Sequence, residues 1–144
     1  MLSGQVIIGR LTTGGLRLNP LIIYNIMTDY FHPSEFARCN PPCKKSDMHP
    51  DTLCKLNKAR HIADIPFVLN CAYRSPAHDM AKGRSGTGAH TLRRGVDIRC
   101  YSADTRYKII TAALAAGFTR IGVADTFVHV DDSPTHAQCV VWTY

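Results

Sequence analysis

Hydrophobic side chains recur at two spacings along this chain, and each spacing predicts a different kind of element. A period close to that of an α-helix predicts amphipathic helices at residues 53–63 and 103–116. Short runs of β-branched and aromatic residues, bounded by turn-forming residues, predict strands. The predicted strands cover residues 65–73, 95–100, 120–123, 127–131 and 139–142.

Polar residues at the ends of the helical segments predict where each helix begins and ends. Ser34 is the predicted N-cap of a short first helix, and either Asp47 or Asp51 is the predicted cap of the second. Ser102 is predicted to cap the third helix and Gly117 to end it. Along one face of that third helix lie Tyr107, Ile110 and Leu114.

The order of these elements predicts an α+β fold. Helices come early and strands late, with one helix inserted, which is typical of a small, mostly antiparallel sheet with helices packed on one side. A chain of 144 residues is the size of one domain. We expect that domain at residues 31–144, after a glycine-rich extension at residues 1–30. Residues 77–87 are polar and predict a loop able to cover a site.

Composition and charge narrow the classes of partner. The chain is 45% hydrophobic and 19% charged, which is typical of a globular protein, and its formal net charge of +6 suits an anionic partner. The basic residues are scattered and no base-stacking motif accompanies them, so we expect no nucleic-acid binding. The apolar run at residues 21–24 is too short to enter a membrane. We expect a monomer.

Neither a secretory signal nor a disulfide pattern is evident. The N-terminus lacks a charged stretch followed by a long apolar one, so we expect synthesis in the cytoplasm and release by lysis or with a virus particle. Six cysteines without such a signal favour free thiols. One alternative is a structural metal held by Cys39, Cys43 and Cys54, although no fourth ligand is evident nearby.

Three residues near the centre and end of the chain make up a candidate metal site. His90, Asp97 and His129 supply two imidazoles and one carboxylate, the ligand set that leaves a catalytic zinc one position open. On a straight strand, residues seven apart face opposite sides, so His90 and Asp97 require a bend between them. The segment from Arg93 to Gly95 permits that bend. Asp97 is then expected within a strand, His90 on a loop or strand end, and His129 on a neighbouring strand.

A hydrolytic zinc site also needs helper residues. Asp131 follows His129 by two residues on the same strand face, and Asp125 lies in the preceding turn, so both are candidate general bases. Arg74 ends a strand and is a candidate for stabilising an oxyanion or docking a substrate carboxylate. Alternatively, Arg74 only pairs with an acid such as Asp79.

Three motifs of this sequence resemble those of the M15 zinc peptidases. They are Tyr73-Arg74-Ser75, the Gly-Ala-His run that ends at His90 with Asp97 seven residues on, and Phe127-Val-His-Val-Asp131. The family includes D-Ala-D-Ala carboxypeptidases and phage-type peptidoglycan endopeptidases, and its fold is related to the hedgehog signalling domain. The resemblance covers residues 31–144 and is closest to small members carried by bacterial viruses.

The resemblance implies a ligand set and a reaction. His90, Asp97 and His129 would bind Zn²⁺, and Arg74 would bind the substrate or the reaction intermediate. The substrate would be a peptidoglycan stem peptide, in which an amide bond is hydrolysed during cell-wall degradation by a phage or its host. The alternative is a non-catalytic zinc module that binds cell wall or a structural partner, as in hedgehog-type relatives.

The sequence departs from the family pattern at a few positions. Many members place an acid three residues before the last histidine, where this chain has Thr126. Asp131 fits the family's His-x-Asp variant, so the resemblance favours it over Asp125 as the general base. Three further departures flank the first two ligands, at Gly88, Arg93 and Gly95.

Overall fold

A computed structural model describes residues 28–144, and the expected extension at residues 1–30 therefore lies almost wholly outside the described residues. The described part contains four α-helices, a 3-10 helix and five strands. None of its helices has the length and apolarity needed to cross a membrane. The elements are α1 (Pro33–Ala37), the 3-10 helix (Lys45–Asp47), α2 (Pro50–Ala63), β1 (Leu69–Cys71), α3 (Pro76–Ala81), β2 (Gly95–Arg99), α4 (Ala103–Ala116), β3 (Arg120–Val123), β4 (Phe127–Asp131) and β5 (Val140–Thr143).

Helix α1 begins earlier than the Ser34 cap predicts. His32 is the N-cap: its Nδ1 accepts a hydrogen bond from the Ser34 amide at 3.2 Å, and the Glu35 carboxylate accepts one from the His32 amide at 2.9 Å. Pro33 takes the first helical position, where a missing N–H costs nothing and the φ angle is already helical. The proline therefore moves the cap to the residue before it.

Helix α2 repeats this arrangement, so the prediction of Asp47 or Asp51 as its cap is wrong. His49 is the N-cap and accepts a hydrogen bond from the Asp51 amide at 3.2 Å, and Pro50 follows at the first helical position. Asp51 lies in the first turn instead, where its carboxylate faces the positive end of the helix dipole.

Helix α4 has the predicted ends but buries a different face. Ser102 accepts a hydrogen bond from the Thr105 amide, and Gly117 ends the helix with a φ of 102°. However, Tyr107 is 70% exposed and Leu114 50% exposed, and of the three apolar residues named along one face only Ile110 packs against the core. Its buried residues, mostly alanines, are Ile109, Ala112, Ala113 and Ala116. Small side chains here let α4 pack closely against α2.

The segment between β1 and β2 is partly helical rather than a continuous loop. Helix α3 begins at Pro76, and the Ser75 side chain caps it by accepting a hydrogen bond from the His78 amide at 3.1 Å. The Ser-Pro pair therefore starts a helix, whereas the prediction took this stretch as loop because of its polarity. The strand predicted at 65–73 is also shorter, since only Leu69–Cys71 pairs within the sheet.

The predicted α+β class is confirmed by the five-stranded sheet. The strand order is β1-β2-β4-β3-β5, with antiparallel pairing throughout except for the parallel pair of β3 and β5. One face, which we call the core face, carries fully buried aliphatic side chains. These are Val96, Ile98, Ile121, Val128 and Val130, each with 0% exposure. The alternate residues of the same strands form the open face, which carries the candidate site.

Candidate metal centre

One row of residues crosses the open face from edge to edge, with one member from each strand. Cα partners in adjacent strands link Cys71 to Asp97, Asp97 to His129, His129 to Gly122, and Gly122 to Trp142. Side chains directly opposite one another in paired strands are close enough to interact. The sheet register therefore brings Asp97 and His129 together, as the sequence predicts.

His90 reaches the same point through the predicted bend. Arg93 has a φ of 68°, in the left-handed region that non-glycine residues rarely adopt, and the Arg94 amide donates to the Ala89 carbonyl at 2.9 Å. A side chain at Gly95 would come within 3.0 Å of both the Ala89 Cβ and the His90 amide nitrogen, so the turn packs directly on the start of β2. His90 thus lies on a turn beside the open face.

The two imidazoles converge on one carboxylate oxygen. Asp97 Oδ1 lies 3.3 Å from His90 Nε2 and 2.8 Å from His129 Nδ1, and the two ring centroids are 5.0 Å apart. All three residues are largely buried, with His90 and His129 each 5% exposed. Such a cluster of charged groups is costly to bury unless its members are paired or bind a metal.

The far side of each ring is held by a separate acceptor. His90 Nδ1 donates to the Ala72 carbonyl at 2.6 Å, and His129 Nε2 donates to Asp131 Oδ2 at 2.8 Å. Metal-binding histidines commonly have this arrangement, in which the ring nitrogen that does not bind the metal donates to a carbonyl or carboxylate. The nitrogens that face Asp97 are therefore those oriented to bind a metal. The donor set and its orientation both fit zinc.

Mutual attraction shifts the pKa values within this cluster. Burial disfavours the imidazolium form of His90, but its contacts with Asp97 and Cys71 outweigh burial and raise the pKa of His90 to about 9. Burial also opposes a charged His129, yet Asp131 and Asp97 raise its pKa. Burial alone would raise the pKa of Asp97, but the two histidines hold it below its usual value. Without metal, protons therefore occupy the nitrogens that would bind it.

Cys71 is a potential ligand that the sequence did not single out. Its Sγ lies 3.7 Å from His90 Nδ1, and with His90 and Asp97 it forms a group of donor atoms that all lie within 4.8 Å of one another. The sheet register is the reason, because Cys71 is the cross-strand partner of Asp97. The three-donor set with Cys71 and the predicted set with His129 therefore share two members.

The cysteines considered for a structural metal do not form such a group among the described residues. Cys39 and Cys43 are buried, whereas Cys54 on α2 is exposed. All six cysteines fall within residues 28–144, and each of them is a free thiol.

Asp131 lies inside the protein rather than at the surface of the site. Its side chain is 0% exposed; Oδ1 accepts from Arg120 Nε at 2.9 Å and from the Ser133 amide at 3.0 Å, while Oδ2 faces His129. These contacts outweigh burial and lower the pKa of Asp131, so it is a carboxylate with all its partners in place. Asp125, the other candidate base, is exposed in the β3–β4 turn.

Arg74 lies next to the centre and is paired with an acid. Its amide donates to the His90 carbonyl at 3.3 Å, and its Nε lies 3.4 Å from Asp79 Oδ1. Asp79 is 2% exposed and also has Arg84 at 3.8 Å. The Asp79 pair considered from sequence is thus present. Within residues 28–144, Arg74 Nε and Asp79 Oδ1 are both buried, and they face each other as an ion pair without hydrogen-bond geometry.

Trp142, the only tryptophan of the chain, forms one wall of the centre. Its ring centroid lies 5.5 Å from that of His129 and 5.2 Å from the Arg120 guanidinium carbon. A Cβ at Gly122 would come within 2.8 Å of the indole, so the missing side chain lets the ring lie across β3. No local pattern in the sequence indicates this contact, because it depends on the parallel pairing of β5 with β3.

The geometry agrees with a comparison against protein-family models. The model for Peptidase M15 matches residues 29–131, which include β1, the turn at His90 and all of β4. No curated protein matches the chain. The family match spans well over half of the sequence and includes each predicted metal ligand. The chain therefore belongs to the Peptidase M15 family.

Proposed function

We propose that this protein is a zinc-dependent peptidase that hydrolyses an amide bond in peptidoglycan stem peptides. The observation that carries the proposal is the convergence of His90 Nε2 and His129 Nδ1 on Asp97 Oδ1 at the open face of the sheet. Membership of Peptidase M15 supports a peptidase acting on substrates of this class. The reaction is that of a D-Ala-D-Ala carboxypeptidase or an endolysin-type endopeptidase, used in cell-wall degradation by a phage or its host.

The residues of the centre divide into ligands and helpers. His90, Asp97 and His129 would hold Zn²⁺. When bound, zinc lowers the pKa of a coordinated water and polarises the scissile carbonyl. Arg74 lies against the His90 backbone and supplies positive charge where the carbonyl oxygen becomes negative.

The contacts of Asp131 favour a role through His129. The sequence-based prediction makes Asp131 the general base, and that remains a prediction. A base must exchange protons with the attacking water, whereas Asp131 is 0% exposed and both of its oxygens already accept hydrogen bonds. We infer that Asp131 orients His129, so that Nδ1 of the ring faces the metal.

A non-catalytic zinc module is the second candidate function. The observation in its favour is the engagement of Asp131, because both of its oxygens already accept hydrogen bonds and neither is open to an attacking water. Such a module would bind zinc with the same three ligands and bind a stem peptide without cleaving it.

The decisive experiment compares zinc content and muropeptide cleavage in the wild type and three variants. His129→Ala should lose zinc and activity, and Cys71→Ser should keep both if His129 is the third ligand. If Asp131 is the base, Asp131→Asn keeps zinc and loses about 10²–10⁴-fold in rate. If Asp131 orients His129, the same variant also binds zinc about 10–100-fold more weakly.

Several outcomes would decide against the proposal. Full activity in His129→Ala would exclude the ligand set. Loss of zinc in Cys71→Ser with retention in His129→Ala would assign the metal to the set with Cys71. An inactive wild type with one bound zinc would favour the non-catalytic module.

A further inference from the structure

The open face continues beyond the metal row towards the start of β4, where it carries an aromatic pair and an arginine. Phe127 is the cross-strand partner of Arg99, and both lie two residues from the metal row, next to His129 and Asp97 respectively. Tyr144 packs against Phe127 with a ring-centroid distance of 5.2 Å and is itself 70% exposed. Arg99, Phe127 and Tyr144 together are called the side subsite below.

Arg99 differs from Arg74, Arg94 and Arg120 because no carboxylate among residues 28–144 pairs with its charge. Arg74 faces Asp79, Arg94 faces Asp132, and Arg120 faces Asp131, each within 3.4 Å. Arg99 is exposed; its Nε donates to the Asn70 side chain at 3.1 Å, and no carboxylate of residues 28–144 lies within 4.0 Å of it.

The Asn70 contact leaves the terminal fork of Arg99 available. Within the described ranges, neither terminal nitrogen of its guanidinium has a hydrogen-bond partner. Two parallel N–H groups of this kind match a carboxylate in a bidentate pair. The aromatic pair alongside offers apolar contact to the part of a ligand that joins the carboxylate to the reacting bond.

The distance along β2 between Arg99 and Asp97 determines how far the substrate's carboxylate can lie from the reacting bond. Alternate residues of a strand are about 6.6 Å apart, and an extended peptide spans about 3.3–3.6 Å per residue. A carboxylate held by Arg99 therefore lies one or two residues from a bond placed at the centre of Asp97 and His129.

We propose that the side subsite recognises a free carboxylate of the substrate peptide, one or two residues from the bond that is cleaved, with Arg99 as the carboxylate-binding group. This inference rests on the proposed peptidase function and adds a specificity-determining residue to it. It distinguishes Arg99 from Arg74, which is already paired with Asp79 and lies beside His90.

The test uses two peptides that differ in one group: L-lysyl-D-alanyl-D-alanine with a free carboxylate, and its carboxamide. For the zinc-loaded wild type, KM should be about tenfold or more lower for the carboxylate, as a charge-assisted hydrogen bond contributes. Arg99→Gln should bring the ratio of the two KM values close to one and change kcat by less than about twofold. Arg99→Lys should recover part of the ratio, because it keeps the charge without the fork.

Two matched variants separate this role from general effects. Lys108→Gln removes one exposed positive charge from α4, away from the open face, and should leave the KM ratio unchanged. Tyr144→Ala should raise KM for both peptides alike, since it removes apolar contact and not charge. An unchanged ratio in Arg99→Gln would overturn the inference, as would a ratio lost only in Arg74→Gln.

A binding measurement keeps this inference separate from the peptidase proposal. Trp142 is the only tryptophan and lies beside His129, so its fluorescence can report peptide binding to the full chain without zinc, where no cleavage is needed. Carboxylate preference that depends on Arg99, in a protein whose zinc-loaded form cleaves neither these peptides nor muropeptides, would support the subsite and reject the peptidase. Cleavage of both peptides with no preference for the carboxylate would support the peptidase and reject the side subsite.

Discussion

The two faces of the sheet are built from the same strands and obey opposite rules. On the core face, Val128 and Val130 of β4 are fully buried among aliphatic side chains. On the open face of the same strand, His129 and Asp131 are nearly as buried, yet both are ionisable and each contacts another charged group. The core face supplies hydrophobic free energy, and the open face uses part of it to hold charges away from water.

Burial alone does not identify the hydrophobic core of this protein. A residue with 0% exposure is apolar on one side of β4 and a carboxylate on the other. Pairing is what separates the two cases, because a buried carboxylate is tolerated when every oxygen has a partner. Neighbouring residues of one strand should therefore respond very differently to the same substitution.

The largest effect is expected on the open face, from Asp97→Ala. Asp97 is the acceptor shared by both histidines, so its removal should abolish stoichiometric zinc binding and lower peptidase activity to background. The fold should persist, since the core face is untouched. Zinc content after gel filtration measures the loss of metal binding, and the circular dichroism spectrum checks that the fold persists. Normal zinc content would show that Asp97 is not a ligand.

Substitution of Ile98, the adjacent core residue, should lower stability and leave zinc binding intact. Ile98→Ala removes a fully buried side chain and should lower the free energy of unfolding by about 2–5 kcal/mol. The folded fraction should still bind one zinc, because the Ile98 side chain points away from the metal row. Denaturant unfolding in the presence of a chelator measures the first effect, and zinc titration below the unfolding transition measures the second.

The pH dependence of zinc binding probes the paired charges of the open face. Because the pKa of His90 is raised to about 9 in the metal-free protein, zinc must displace a proton at any lower pH. The proton on His90 alone should therefore make the apparent affinity rise by up to about tenfold per pH unit until about pH 9, and a proton on His129 adds to this slope. A histidine at its ordinary pKa of 6.5 would level off near that value instead. Competition with a chelator at several pH values distinguishes the two profiles.

The smallest effect is expected from Gly122→Ala at the edge of the metal row. The new Cβ would come within 2.8 Å of the Trp142 ring, and overpacking of this kind costs about 1–3 kcal/mol. Because β5 is an edge strand, the indole should move towards solvent and away from His129. A red-shifted Trp142 emission with zinc content unchanged would fit, and an unshifted spectrum would contradict the packing.

Local signals predicted much of this fold. Helix α4 begins and ends where Ser102 and Gly117 predict, and the hairpin of β3 and β4 has the predicted bounds. The errors cluster at prolines: Pro33, Pro50 and Pro76 each follow a capping residue and begin a helix. A proline ends one helix and begins another with equal ease, so its neighbours decide which occurs.

The α+β class, the family motifs and the need for a bend between His90 and Asp97 are all evident from the amino-acid sequence. These features depend on spacing within short segments. The period of hydrophobic residues distinguishes helices from strands, and the alternation of side chains along a strand shows which residues share a face. Four of the motif residues, His90, Asp97, His129 and Asp131, are in contact in the folded protein.

The groups that surround those residues depend on the tertiary structure and could not be predicted from the sequence. Cys71 and Trp142 meet the centre through strand pairings far apart in sequence, and no local pattern specifies register between distant strands. The burial of Asp131 follows from the same packing, as does the position of Arg99, which has no carboxylate partner in the described part of the chain. Spacing along the chain fixes which side chains share a face, whereas pairing between strands fixes which of them touch.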